Sequence, residues 1–215
     1  MLPLILLLLL VPAQAGTAAR PPAAETARAL QQKYDRVRDF TADFTHTYEG
    51  GVLKKTAVER GTVKIKKPGR MRWDYTAPDK KVFVSDGRKI YSYIPADKQA
   101  IVADMPAGDE AATAVLFLVG KGDLTRDFAV SYDPEPEPDA WALRLEPRKK
   151  QRDYDWLVLV VDRKTLQIRS LTAAEQQGGR STFAFTNYRE NAGLDDKAFE
   201  FKIPRGVDVI SANGR

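Results

Sequence analysis

The sequence predicts an α+β protein built on a single antiparallel, strongly curved sheet, and three observations predict it. Apolar and polar residues alternate in segment after segment, the period of a strand with one wet and one dry face. Turn signals separate those segments: Gly50-Gly51, Pro68-Gly69, Asp86-Gly87, Pro134 to Asp139 and Gly178-Gly179. Helical spacing is confined to two stretches, and no internal repeat or domain linker interrupts the pattern.

The chain has 215 residues and no cysteine. Met1 to Ala15 joins an apolar run, Leu4 to Val11, to Ala13-Gln14-Ala15, which is the pattern of a secretory signal peptide and its small-x-small cleavage site. The run is too short to span a bilayer. No Lys or Arg precedes it, a departure that an upstream start codon would explain. Gly16 to Glu25 is small and Pro-bearing and reads as a flexible leader. Residues 26–215 then form one domain, long enough to bury a core. Without cysteine an exported chain has no disulfide staple and no site for a lipid anchor, so the expectation is a soluble protein held by its core.

Thr26 to Asp39 places Ala27, Leu30, Tyr34 and Val37 at helical spacing. Phe40 to Tyr48 changes period: Phe40, Ala42, Phe44, His46 and Tyr48 alternate with polar residues. Thr62 to Lys66 follows, with Val63 and Ile65 on one face. Beyond Pro68-Gly69, Met71, Trp73 and Tyr75 share a face, and Arg70, Arg72 and Asp74 point the other way. Val82 to Ser85 and Ile90 to Ile94 form a hairpin across Asp86-Gly87. Asp109 to Val119 is the second helical stretch, ended by Gly120 and Gly122. Phe128 to Tyr132, Trp141 to Leu145, Asp155 to Val161, Ile168 to Glu175 and Ser181 to Tyr188 complete the strands.

The chemistry-bearing residues are few. His46 is the sole histidine and lies on the apolar face of its strand, the position of a satisfied core histidine. One His and no Cys exclude a zinc set. No G-x-S-x-G elbow or phosphate-cradling Gly loop occurs. The acids, such as Asp195-Asp196, sit in polar turns, although spacing alone does not exclude a carboxylate pair assembled by the fold. The expectation is a non-enzyme with no cofactor and no metal. The formal charge of +5 fits anionic partners or solubility alone. Arg148, Lys149, Lys150 and Arg152 crowd one turn, which either steers the protein to an acidic partner or an anionic membrane or merely solubilises it. Nucleic acid is not expected.

Taken in order, the helix, Phe40-Thr41-Ala42-Asp43-Phe44, Gly61-Thr62-Val63, Lys67-Pro68, Arg72-Trp73-Asp74-Tyr75 and Pro78 form an ordered set. Val84-Ser85-Asp86-Gly87, Tyr91 to Pro95, Glu175-Gln176, Arg180-Ser181, Phe199-Glu200-Phe201 and Pro204 to Val207 extend it. The set resembles the LolA-type periplasmic carriers, over nearly the whole mature chain. The resemblance implies an incomplete β-barrel closed by a helical lid, with acyl chains of a lipoprotein between them. It implies a periplasmic monomer that takes acylated lipoproteins from an inner-membrane ABC transporter complex to an outer-membrane receptor lipoprotein, or to the outer membrane directly. A carrier or sensor of another lipid or glycolipid on the same fold is the alternative. The implied cavity residues are Val63, Ile65, Met71, Trp73, Tyr75, Val82 and Val84, each of which is equally open to a plain core role. The implied lid residues are Val115, Leu116, Phe117 and Leu118. Lys67 stands where the family often has an Arg that latches the lid. It is expected either as a looser latch at the rim or as a solvated lysine.

Overall fold

The computed structural model describes residues 20–50, 55–106, 117–134, 139–151, 153–176 and 178–212. Helix α1 (Ala23–Arg36) leads into β1 (Asp39–Glu49), β2 (Thr56–Lys66), β3 (Arg70–Ala77), β4 (Lys81–Asp86), β5 (Lys89–Ile94) and β6 (Gln99–Asp104). A short helix α2 (Leu124–Asp127) precedes β7 (Phe128–Tyr132), β8 (Ala140–Pro147), β9 (Trp156–Asp162), β10 (Ile168–Ala174) and β11 (Arg180–Glu190). A 3₁₀ turn (Asp196–Phe199) and β12 (Asp208–Ser211) follow.

These strands form one sheet in the order β12-β6-β5-β4-β3-β2-β1-β11-β10-β9-β8-β7. Its neighbours are antiparallel except β12, which lies parallel to β6. The two edges, β12 and β7, do not meet, so the sheet is an open, incomplete barrel. Register slips at Thr41/Asp43, Arg60/Gly61 and Ile168/Ser170 mark bulges, which raise local twist and bend the sheet.

The face that curves around α1 holds the main core. Phe40, Ala42, Phe44, Val63, Ile65, Met71, Trp73, Leu157, Leu159 and Val161 are buried there with Ala27, Leu30, Tyr34 and Val37. Burial of each large aliphatic side chain contributes about 1.5–3 kcal/mol. Helix α1 stops at Val37, whose extended backbone starts the run into β1 while its N–H still reaches Tyr34 O.

A second, smaller layer sits on the opposite face. The chain after β11 folds back across β3 and β4. Asp39 accepts the backbone N–H groups of Gly193 and Leu194, and Lys66 Nζ donates to Leu194 O at 2.7 Å. Phe199 is then 1% exposed, and Phe201 lies 5.7 Å from the Tyr91 ring and 5.8 Å from that of Tyr93.

This layer corrects two expected cavity residues. Trp73 pairs with Phe83, so Phe83 shares its face, while Val82 pairs with Asp74 and Val84 with Arg72. Val82 and Val84 therefore face away from Trp73. Val84 is fully buried because the returning C-terminal segment covers that side. Strand β4 reads Val-Phe-Val because both of its faces are covered.

Candidate functional site

The inner face of β1, β2, β3 and β11 is a wall of interlocked rings. Phe44 meets Trp73 edge-on at 5.1 Å and Tyr75 at 4.8 Å, and Phe183 lies 5.0 Å from Trp73. Tyr75 continues to Phe83 at 5.5 Å. Offset and edge contacts of this kind satisfy the ring quadrupoles and leave broad apolar surface. Gly61 makes the wall possible: a Cβ there would lie 2.9 Å from Phe44 Cε1 and 2.1 Å from Asp74 O. Val63, Ile65, Met71, Trp73 and Tyr75, all expected on this face, are on it.

A roof covers the part of the wall nearest α1. Leu30, Tyr34 and Val37 from the helix end join Phe117, Leu118, Val119 and Leu124. Of the expected lid residues, Phe117 and Leu118 are in the roof, while Val115 and Leu116 fall outside the described residues. Tyr34 is the hub. Its hydroxyl donates to Leu118 O at 2.7 Å, and its ring stacks on Phe117 at 5.4 Å. Burial pushes the Tyr34 hydroxyl pKa up, which keeps it a donor. Gln31 Oε1 accepts the N–H of Leu124 at 2.9 Å.

Lys67 joins roof to sheet. Its Nζ donates to Tyr34 O at the end of α1 and lies 4.1 Å from the centre of the Tyr34 ring. The next link is Gly69, whose N–H donates to Val119 O at 3.1 Å. Gly120 has φ +84°, and a Cβ there would lie 2.9 Å from Lys67 Cδ, so only glycine lets the lysine stem pass. Burial holds the Lys67 pKa below the usual lysine value, with Asp35 opposing. A cavity of about 280 Å³ opens at this junction, flanked by Tyr34, Asp35, Arg38, Lys67 and Gly120.

Sequence reasoning missed the far wing of the same face. Pairing carries the inner side from Trp73 through Phe83 and Ser92 to Ile101 and Ile210, and from Met71 through Ser85 to Ile90. Ile101 is 37% and Ile210 44% exposed, whereas Trp73 is 3% exposed. The available signal was parity: Tyr75 pairs with Lys81, so odd-numbered residues stay inside through β4.

At the opposite end, His46 is held by Glu59 at 3.2 Å and Ser181 at 2.8 Å and stacks on Phe183 at 4.2 Å. Glu59 also pairs with Lys81. A serine, a histidine and an acid in this order suggest a nucleophile relay. Ser181, however, lies within the ladder between β1 and β10, so its own N–H is committed to the sheet and cannot serve an oxyanion. Burial lowers the His46 pKa, against the opposing effect of Glu59. The arrangement is that of a half-buried histidine with both nitrogens satisfied. In the basic turn, Arg148, Lys149 and Lys150 are exposed, and Arg152 falls outside the described residues. Among the described residues no group of three acids or histidines converges on a metal position, and no helix is long and apolar enough to cross a membrane.

The family model described as outer membrane lipoprotein carrier protein LolA matches residues 35–202. The outer-membrane lipoprotein carrier protein of Hahella chejuensis (strain KCTC 2396) is 30% identical over 185 residues, covering 85% of this chain and 86% of that protein. That of Sodalis glossinidius (strain morsitans) is 30% identical over 198 residues, covering 91% and 92%. An uncharacterized conserved protein from Thermus thermophilus superposes with a TM-score of 0.50 at 12% identity, over 87% of this chain and 98% of that one, a likeness of fold alone. With a family match that begins inside α1 and ends beyond the 3₁₀ turn, this chain belongs to the LolA family of outer membrane lipoprotein carrier proteins.

Proposed function

We propose that this protein carries acylated lipoproteins across the periplasm, holding their acyl chains against the inner aromatic face. The observation that carries this reading is an apolar face wider than its roof: from Trp73 the same side runs on to Phe83, Ile101 and Ile210, with the last two exposed. Each buried methylene contributes about 0.8 kcal/mol, so a long chain bound without competition would not be released. Here the roof competes. Leu30, Val37 and Leu118 already occupy part of the face, so the net affinity is the difference between two apolar covers. Such a balance suits a carrier that must both load and unload. An inner-membrane ABC transporter complex is the proposed donor and an outer-membrane receptor lipoprotein the proposed acceptor.

The test uses Trp73 as reporter. In a Trp141→Phe, Trp156→Phe variant, titration with a palmitoylated peptide should shift Trp73 emission saturably. Native mass spectrometry of protein recovered from periplasm should find acylated protein bound. Absence of any saturable shift, or recovery only with free lipid, would contradict lipoprotein carriage.

A further inference from the structure

Tyr188 carries a hydroxyl that no described residue engages. A bulge in β11 at Asn187, with φ +51°, sets two residues against one of β1 and turns Tyr188 inward. Its ring stacks on Phe40 at 4.6 Å and meets Phe185 edge-on at 6.3 Å. Two residues further along β11, Glu190 pairs with Lys33 of α1 at 2.5 Å, so this end of β11 lies against the helix. Among the described residues, this oxygen is buried without a hydrogen-bond partner. The contrast with Tyr34 is direct, since that hydroxyl donates to Leu118 O. Phenylalanine would fill the same space, and leaving a buried hydroxyl unpaired costs about 1–3 kcal/mol. Burial also pushes the Tyr188 pKa up, so the group is a proton donor at any working pH.

Resting on the carrier reading above, we propose that Tyr188 is the donor for the carbonyl oxygen of the cargo's acyl linkage, an ester or amide. Tyr34 and Lys67 flank the opening of about 280 Å³ at the end of α1, the helix whose Lys33 is paired with Glu190 on the Tyr188 strand. A lipid held by its chain keeps the polar linkage at the mouth of the apolar site. When Tyr34 lifts with α1, the Tyr188 hydroxyl is exposed there, in a place shielded from water by Phe40 and Phe185. One donor in such a site discriminates because a ligand without the acceptor leaves it unpaired again.

The experiment compares wild type with Tyr188→Phe and two probes: an acetylated serine peptide bearing a hexadecanoyl ester, and the same peptide bearing a hexadecyl ether. Wild type should bind the ester more tightly than the ether. The variant should lose about fivefold in ester affinity, the worth of one hydrogen bond, and none for the ether. The unliganded variant should melt about 2–4 °C higher. Equal losses for both probes, or no loss for the ester, would overturn the assignment. A lower melting temperature would also overturn it, because the hydroxyl would then be satisfied in the closed protein. If wild type binds neither probe, the carrier reading fails and this inference with it. If it binds both equally, only this inference fails.

Discussion

Replacing Lys67 by Met isolates the junction between roof and sheet. Met keeps an unbranched stem to pass Gly120 and removes the ammonium. The lost hydrogen bond to Tyr34 O comes from a charged donor, worth about 1.5–3 kcal/mol, and the lost contact with the Tyr34 ring about 0.5–1 kcal/mol. Against this stands the desolvation of the half-buried ammonium, which is why its pKa lies low. The closed roof should therefore weaken by about 1–2 kcal/mol, raising the open fraction roughly 5–30-fold. Hydrogen exchange reads this directly. The amides of Gly69, bonded to Val119 O, and Leu124, bonded to Gln31, should exchange faster by that factor. Amides in the β1 to β11 pairing should not change. Apparent affinity for an acyl probe should rise, since more of the protein is binding-competent. Unchanged exchange at Gly69 and Leu124, or an equal increase across the sheet, would refute a local latch.

Two further outcomes follow from the wall itself. Gly61→Ala forces a Cβ to within 2.1 Å of Asp74 O and 2.9 Å of Phe44 Cε1, so β2 and β3 must separate. This should destabilise by about 3 kcal/mol and lower the melting temperature by roughly 6–12 °C, and an unchanged melt would show the ring wall to be plastic. For His46, burial lowers the folded pKa, so the unfolded chain binds more protons just below its ordinary pKa of about 6.5. Stability is complete above that pH and falls as pH drops toward the folded pKa. Urea midpoints of His46→Gln should decline less than wild type over this window, before Glu59, whose pKa is also low, begins to protonate. Parallel profiles would assign the acid sensitivity elsewhere.

Alternation sufficed for the centre of the sheet. Phe40, Ala42 and Phe44, Val63 and Ile65, and Met71, Trp73 and Tyr75 each have polar neighbours, so apolarity and facing coincide there. In β4 they diverge. Val82 and Val84 are apolar because of Phe199 and Phe201, more than a hundred residues downstream, and nothing local distinguishes that cover from the inner core. Strand β6 was not anticipated because Gln99 to Asp104 is short and mixed, and β12 because its four residues are exposed on both faces. The roof junction was half legible: Lys67 stood at the family's latch position, open to a rim latch or a solvated lysine, but its acceptor is a backbone carbonyl of Tyr34, which carries no sequence signal. The Tyr188 hydroxyl was hidden for a similar reason, since the bulge at Asn187 reverses the parity that would have described it.

The pairing of β1 with β11 has a consequence for how the chain assembles. Strands β1 to β6 are successive neighbours, as are β7 to β11, so each half can form from contacts close in sequence. The seam between the halves pairs Phe44 with Phe185 and His46 with Phe183. Closing it joins residues about 140 positions apart, which makes it the slow, entropically demanding step. A chain that emerges N-terminus first thus exposes one side of β1, with half of the ring wall, until β11 arrives. Assembly of the apolar face is postponed until nearly the whole polypeptide has appeared, and the interval is the period in which this protein is most open to misassociation.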